Sequence, residues 1–514
     1  MKILQLFFII LISNLIFCQS NSIDGPYSNY FEKSTPEIEG INSESIMKFI
    51  SRIEKEINEL HSFMIIKNGK NIASGWWSPY TPEIPHEMNS LSKSFASTAI
   101  GFAYDERLIN LDDRLIKFFP DYKLKSINEK IKNIRIRDLL TMTTGHEFEV
   151  RPYLNNKKDW IHSFMTSNPT FLPGNYFRYH SLATYLLSAI IHKISGDNLE
   201  DYLYKRLFLP LEIEKPFWKK CPNGISIGAV GLKIKTEDIA KFGQLYLQNG
   251  MWENKQLLSS DWIKMATSKQ VDNSVTQIQP DWKQGYGFQF WKNRYNSYRG
   301  DGGFGQFCII IPDHKIVIAI TGNTNDMQGV LNIIWEEIYS KIDLNNAFDN
   351  ELSKNLELNR KLSSLKVNVI KKTFLKDNKR NLNKTFFVND NKFGIKTIRL
   401  SRLNENYLLS INSNNEVENI NISKKTFIKS FLKKLNLTDN FFFNLSNLRQ
   451  KKIPIAANGG WVEKNKFSSK ILFLEESSST NLNLFFDKKE VEIEIVLKGV
   501  FGLQNVFKIS GSTN

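Results

Sequence analysis

The sequence predicts a mixed α/β (α+β) protein: an antiparallel sheet surrounded by helices, followed by a smaller β-rich domain. Three observations carry this. Two short apolar runs flank Asn68-Gly69 near one end of the first domain, and two more flank Pro312-Asp313 near its other end. Between them the apolar residues recur with helical spacing, and beyond about residue 345 they alternate as in strands. A sheet fed from both ends of a domain, with helices inserted between, is one of the few layered solutions that buries such faces.

Taken in order, residues 43–60 read as a charged helix. Phe63-Met64-Ile65-Ile66 and Ile72-Ala73-Ser74-Gly75-Trp76-Trp77 around Asn68-Gly69 read as a β-hairpin, because this dipeptide accepts the left-handed backbone of a tight turn. Residues 90–104, with Phe95, Ala99 and Phe102, form an apolar helix pattern, and residues 182–194 form another. Thr236-Glu237-Asp238 opens a further helix, with Thr236 expected as its cap and the acids favoured at the positive end of the dipole; Asn249-Gly250 ends it. Residues 306–321 read as two strands around Pro312-Asp313, and 327–341 as a closing helix. These elements place the main domain at 21–345. Residues 346–375 read as a linker or helical bridge. Residues 376–514 read as the β-rich domain, where Val491, Ile493 and Ile495 alternate with Glu492 and Glu494 and Trp461 anchors the core.

The 514 residues carry a formal charge of +15, yet the lysines are spread along the chain beside abundant Asn and Ile. That pattern is a compositional background, without the clustered arginines, zinc-finger spacing or RNP-like stretch of a nucleic-acid binder. No nucleic-acid partner is therefore expected. Met1-Lys2, the mostly apolar run 3–17 and the polar Cys18-Gln19-Ser20 read as a signal peptide (1–20), since the run is short for a bilayer span. The expectation is an exported protein, periplasmic or secreted, with no transmembrane segment in the mature chain. Lipid anchoring at Cys18 is the lesser reading, because Phe17 stands where a lipobox wants a small residue. Cys221 and Cys308 could pair in an oxidising compartment or remain as buried thiols. The seven histidines include no H-E-x-x-H and no clustered Cys/His spacing, so no metal and no cofactor are expected.

Ser90-Leu91-Ser92-Lys93 is the pattern S-x-x-K. On a helix, residues three apart share a face. A serine at the helix start lies among free N–H groups that can hold an oxyanion, and a lysine one turn on can take its proton if burial lowers the lysine pKa. The same spacing occurs at Ser45/Lys48, Ser363/Lys366 and Ser430/Lys433, which read as solvated helix surface. Only the Ser90 copy follows a hairpin and opens an apolar helix.

Around it, Met88-Asn89-Ser90-Leu91-Ser92-Lys93-Ser94-Phe95 resembles the nucleophile segment of the serine β-lactamase-related family, the group of class C β-lactamases, penicillin-binding proteins and esterases. Leu108-Ile109-Asn110-Leu111-Asp112-Asp113 and the stretch from Ile136-Arg137-Asp138-Leu139-Leu140 to Thr144-Gly145 resemble two further segments of that family, as do Pro173-Gly174 with Phe177-Arg178-Tyr179-His180-Ser181, and Leu257-Leu258-Ser259. The resemblance covers about residues 45–341. It implies the β-lactamase/transpeptidase-like fold and an acyl-enzyme on Ser90, with Lys93 and Tyr179 handling protons. The lysine ammonium is expected to favour the Tyr179 phenolate. Ser181 stands where class C β-lactamases have Asn, which fits the esterase and amidase relatives, including those similar to 6-aminohexanoate-dimer hydrolase.

The third motif falls on Arg299-Gly300-Asp301-Gly302-Gly303-Phe304-Gly305-Gln306, where one N–H between Asp301 and Gly303 should join that of Ser90 as an oxyanion hole. Asp301 lies near the usual cation and argues against carboxylate substrates, although Arg299 on the same strand face could partly offset it. His86, His146 and His180 lie near the motifs, but the mechanism needs none of them. All three motifs precede Lys341, so the tail is expected to serve stability or the pocket mouth.

The resulting expectation is an exported serine hydrolase acting on a small-molecule ester or amide, including D-amino-acid peptides. The alternatives are a peptidoglycan DD-peptidase or β-lactamase, and a non-catalytic envelope binding protein on the same scaffold.

Overall fold

The computed structural model describes residues 30–513 apart from 123–126, 153–156, 343–351, 371–378, 414–415, 434, 436, 438–451 and 499–503. The expected signal segment and Cys18 lie outside the described residues. The first domain is built on a six-stranded antiparallel sheet. Its strands are β1 (Leu60–Lys67), β2 (Lys70–Trp76), β3 (Trp291–Lys292), β4 (Tyr298–Gly302), β5 (Gln306–Ile311) and β6 (Ile316–Gly322), in the order β2-β1-β6-β5-β4-β3. The β1–β2 hairpin turns at Asn68 (φ 52°) and Gly69 (φ 77°), both left-handed as a two-residue turn requires.

Both faces of the sheet are covered, so β1 and β5 are buried along their whole length and read as continuous apolar runs. Successive residues feed opposite cores. Met64, Ile66, Cys308, Ile310 and Val317 join the cluster under the helices Ser92–Asp105, Ser181–Ser195 and Thr236–Leu247. Phe63, Ile65, Phe307, Ile309 and Ile318 join a second cluster under Ser43–Glu56 and Met327–Glu337. Helix Ser92–Asp105 is the central one: every residue from Ser92 to Ala103 is buried.

The second domain is one antiparallel sheet of ten strands, with Glu416–Ile422 and Ile428–Leu432 at its edges. A bridge between Ser423 and Asn458, with Asn458 Nδ2 donating to the Ser423 carbonyl at 2.8 Å, nearly closes it into a barrel. Trp461 lies fully buried in its core against Phe467 and Phe486. Ala456, Leu472 and Leu474 face outward into the second cluster of the first domain, so the two domains share packed apolar surface.

Several details depart from the sequence-based expectations. The first helix ends at Glu56, and Leu60 already belongs to β1, because the apolar run there pairs with β6. Thr236 does not cap its helix: Asp238 Oδ2 accepts the Lys235 N–H at 2.9 Å, and the Thr236 hydroxyl is buried 2.6 Å from that of Ser62. Within the stretch read as a linker or helical bridge, the described residues form the helix Leu352–Ser363, whose Leu358 and Leu362 are buried against the first domain. Of the two states open to Cys221 and Cys308, the structure shows the second, separate buried thiols.

Candidate active site

Ser90 lies in a single 3-10 turn, Asn89–Leu91, that runs into helix Ser92–Asp105. Asn89 takes φ 45°, a left-handed conformation that Asn tolerates better than most residues. One turn on, Lys93 is 1% exposed; its Nζ donates to Ser90 Oγ at 3.0 Å and to the Ala229 carbonyl at 2.9 Å. Among the described residues it forms no ion pair. Burial pushes its pKa down to about 7, against the smaller upward pull of Glu149 and Asp301.

The stretch ending at Gly145 positions Tyr179. The Met142 carbonyl accepts the Arg178 N–H at 2.9 Å, and the Thr143 carbonyl accepts that of Gly174 at 2.8 Å. The Tyr179 ring stacks on Trp291 at 5.4 Å, and Lys93 Nζ stands 4.9 Å from its centre. Its phenol hydrogen-bonds with Ser90, yet burial, reinforced by Asp301, drives its pKa well above the usual value. The expected phenolate is therefore disfavoured, and Tyr179 stays a phenol.

Ser181 starts the next helix, and its N–H donates to Glu149 Oε1 at 2.7 Å. His180 Nε2 accepts the Val150 N–H at 2.7 Å, His146 bonds to Thr144 and Ser167, and His86 Nε2 meets His61 Nδ1 at 2.8 Å. Burial holds His146 and His180 down to about 3, so both are neutral braces, and none of the three lines the cavity.

On β4, alternate residues face opposite ways. Gly302 is packed against the nucleophile turn so closely that a Cβ there would stand 2.1 Å from the Met88 carbonyl. Arg299 and Asp301 point to the other side. Arg299 Nε and Nη2 both lie 2.9 Å from Asp301 Oδ2, and Arg299 is fully buried with its guanidinium 4.2 Å from the Trp282 ring. Asp301 does reach the cavity, but its charge is matched by Arg299, which weakens the expected repulsion of carboxylates. Gly303 opens onto the cavity, with nothing within 4 Å of a Cβ built there. Among the described hydrogen bonds outside regular helices and strands, neither the Ser90 nor the Gly303 N–H has an acceptor.

Ser90, Tyr179, Ser181, Asp301 and Gly303 all line one cavity of about 560 Å³, with Lys93 beneath Ser90 and Gly302 beside it. Trp282, Trp291 and Val230 supply an apolar wall. Charged groups at its rim are Glu149, paired with Arg151 at 3.0 Å, and also Arg178 and Asp326. No group of residues able to hold a metal occurs among the described residues. The other S-x-x-K copies build nothing comparable: Ser45 is buried with Lys48 paired outward to Glu44, Ser363 ends a helix, and Ser430 lies on a strand. Sequence reasoning missed Glu149, Trp291 and the Ala229 carbonyl. Gly228 and Gly231, both left-handed, were the one signal for the loop that carries Ala229.

Residues 55–338 match the model of the Beta-lactamase family. The chain is similar to an uncharacterized protein of Alkalihalophilus pseudofirmus, 22% identical over 305 residues, covering 51% of this chain and 83% of that protein. It is also similar to the protein flp of Staphylococcus aureus, 25% identical over 213 residues, covering 38% of this chain and 43% of flp; that match spans less than half of flp. A solved structure of a 6-aminohexanoate-dimer hydrolase-like protein from Bacillus anthracis shares the fold, with a TM-score of 0.51 at 20% identity over 62% of this chain and 88% of the other. The family match extends over more than half of the sequence and contains the Ser90, Tyr179 and Asp301 segments that meet at the cavity: the chain belongs to the Beta-lactamase family.

Proposed function

We propose that the protein is an exported serine hydrolase that acylates Ser90 with a small ester or amide and then releases the acid to water. The observation that carries this reading is the 3.0 Å contact between Ser90 Oγ and a buried Lys93 whose pKa falls to about 7, at the floor of an open cavity. At neutral pH a large share of Lys93 is free amine, able to take the Ser90 proton as the oxygen attacks the carbonyl carbon. The oxyanion that forms is held by the N–H groups of Ser90 and Gly303, which both lie at the cavity and have no acceptor among the described hydrogen bonds outside regular helices and strands. As the acyl–leaving-group bond breaks, the leaving group takes a proton from the Tyr179 phenol, which Lys93 reprotonates. Water then repeats the sequence on the acyl-enzyme.

The aromatic wall of Trp282 and Trp291 suits an acyl group of moderate size, and the likeness to the 6-aminohexanoate-dimer hydrolase-like protein of Bacillus anthracis is compatible with an amide substrate. Export rests on the apolar run 3–17 ahead of Cys18-Gln19-Ser20. The test is hydrolysis of a panel of nitrophenyl esters and short D-amino-acid amides by the wild type and by Ser90→Ala. Turnover of at least one class, reduced roughly a thousandfold or more in Ser90→Ala, supports the reading. Equal turnover by both proteins refutes it.

A further inference from the structure

The turn between the strands Lys466–Phe473 and Ser478–Asp487 of the second domain reaches the nucleophile turn of the first. The Glu475 carbonyl accepts the Glu87 N–H at 2.9 Å, and the Glu475 carboxylate pairs with Lys233 at 2.9 Å. Ser477 goes deeper. Its Oγ accepts from Asn89 Nδ2 at 3.2 Å and from Gln306 Nε2 at 2.9 Å. The same two amides also donate to the Gly303 carbonyl, at 2.8 Å and 3.0 Å. Ser477 is 9% exposed and Gln306 is fully buried, so the bond between them is shielded from water, while Asn89 is half-buried at the cavity edge.

This clamp joins the two chain segments that supply the oxyanion hole. Asn89 is the left-handed residue that sets the direction of the Ser90 N–H. Gly303 follows another glycine, the most permissive pair of backbone positions in the site, and needs an external restraint to keep one orientation. On the reading that Ser90 and Gly303 hold the oxyanion, we infer that Ser477 is a positioning residue for catalysis, contributed by the second domain. Its single oxygen has two lone pairs, one for each amide, and so fixes the spacing of the two oxyanion donors. Removing it takes the second acceptor from the Asn89 amide, which keeps only the Gly303 carbonyl, whereas Gln306 Nε2 keeps the Gly303 and Gly322 carbonyls, so the grip of Asn89 on Gly303 loosens.

The experiment is steady-state kinetics of full-length Ser477→Ala against pH, with a thermal melt alongside. The expected result is a plateau kcat lowered about ten- to a hundredfold, the range a small misplacement of catalytic groups produces. KM stays within about twofold and the lower pH limb stays where Lys93 sets it, since Ser477 itself neither lines the cavity nor contacts the lysine. The loss in a Ser477→Ala/Asn89→Ala double variant is smaller than the product of the two single losses, because both act through one network. A plateau within twofold of wild type overturns the inference, and so does a loss matched by a rise in KM or by a shift of the limb. Ser90→Ala separates the two levels. If it still hydrolyses substrate, the reading of the site fails. If it is inactive while Ser477→Ala is normal, only the inference about Ser477 fails.

Discussion

Arg299 Nε donates to Asp301 Oδ2 at 2.9 Å, and Arg299 Nη2 completes the ion pair 2.9 Å from the same carboxylate oxygen. This pair decides what an acid inside the cavity does. A lone anion 4 Å from a substrate carboxylate would oppose binding by about 4 kcal/mol at an effective dielectric near 20, roughly a thousandfold. With Arg299 in place, the wild type is expected to prefer a neutral ester over its carboxylate analogue by less than about tenfold in kcat/KM. A preference near a thousandfold would mean that the pair does not neutralise Asp301 toward substrate. Breaking the pair should also be costly: Asp301→Asn leaves Arg299 buried without its anion, and a loss of about 3 kcal/mol in denaturant unfolding is expected.

The pH profile follows from Lys93. Its pKa is lowered to about 7 by burial, so below that pH the amine is protonated and cannot accept the serine proton. Acylation should fall about tenfold per pH unit below the limb and level off above it. Glu149 pulls the lysine pKa upward, so Glu149→Gln should move the limb to lower pH while leaving an acceptor for the Ser181 N–H. A limb that moves upward in this variant contradicts the assignment of the base.

The two glycines after Asp301 should respond differently to alanine. A Cβ at Gly302 meets the Met88 carbonyl at 2.1 Å and the Ser90 nitrogen at 3.1 Å, whereas one at Gly303 meets nothing within 4 Å. Gly302→Ala must push the nucleophile turn away, so a loss of about a hundredfold in kcat with a lowered Tm is expected. Gly303→Ala should melt within a few degrees of wild type. Equal melting temperatures for both variants would show that β4 does not press on the nucleophile turn.

A chain ending at Lys341 keeps all three motifs but loses Leu358, Leu362, Leu365, Leu472 and Leu474, which complete the core on one face of the sheet. It also loses the contacts of Glu475 and Ser477 to the nucleophile turn. The truncated protein should be poorly soluble or melt well below the full chain, and its folded fraction should react slowly with a fluorophosphonate probe. Wild-type labelling rates in a folded truncated protein would show that the second domain is dispensable to the site.

Much of this architecture was legible because it is local. Asn68-Gly69 marked its hairpin through the backbone that only a few residues accept, and the S-x-x-K spacing placed Lys93 behind Ser90 through helical geometry. What the sequence left hidden depends on distant pairing. Thr236 looked like a cap, but its hydroxyl instead met Ser62 from β1. The protonation state of Tyr179 depended on how deeply Trp291 and its neighbours bury the phenol. Ser477 stands nearly four hundred residues from Asn89, and nothing in its local pattern distinguishes it from the adjacent serines.

The central claim is that Ser90 is the nucleophile and Lys93 its base. The most direct measurement is peptide mapping by mass spectrometry of the full-length protein after reaction with a fluorophosphonate, run beside Ser90→Ala and Lys93→Ala. The account predicts one adduct, on Ser90 itself, absent from Ser90→Ala and formed at least about a hundredfold more slowly in Lys93→Ala. An adduct on another residue, or labelling of Ser90→Ala at the wild-type rate, would contradict it.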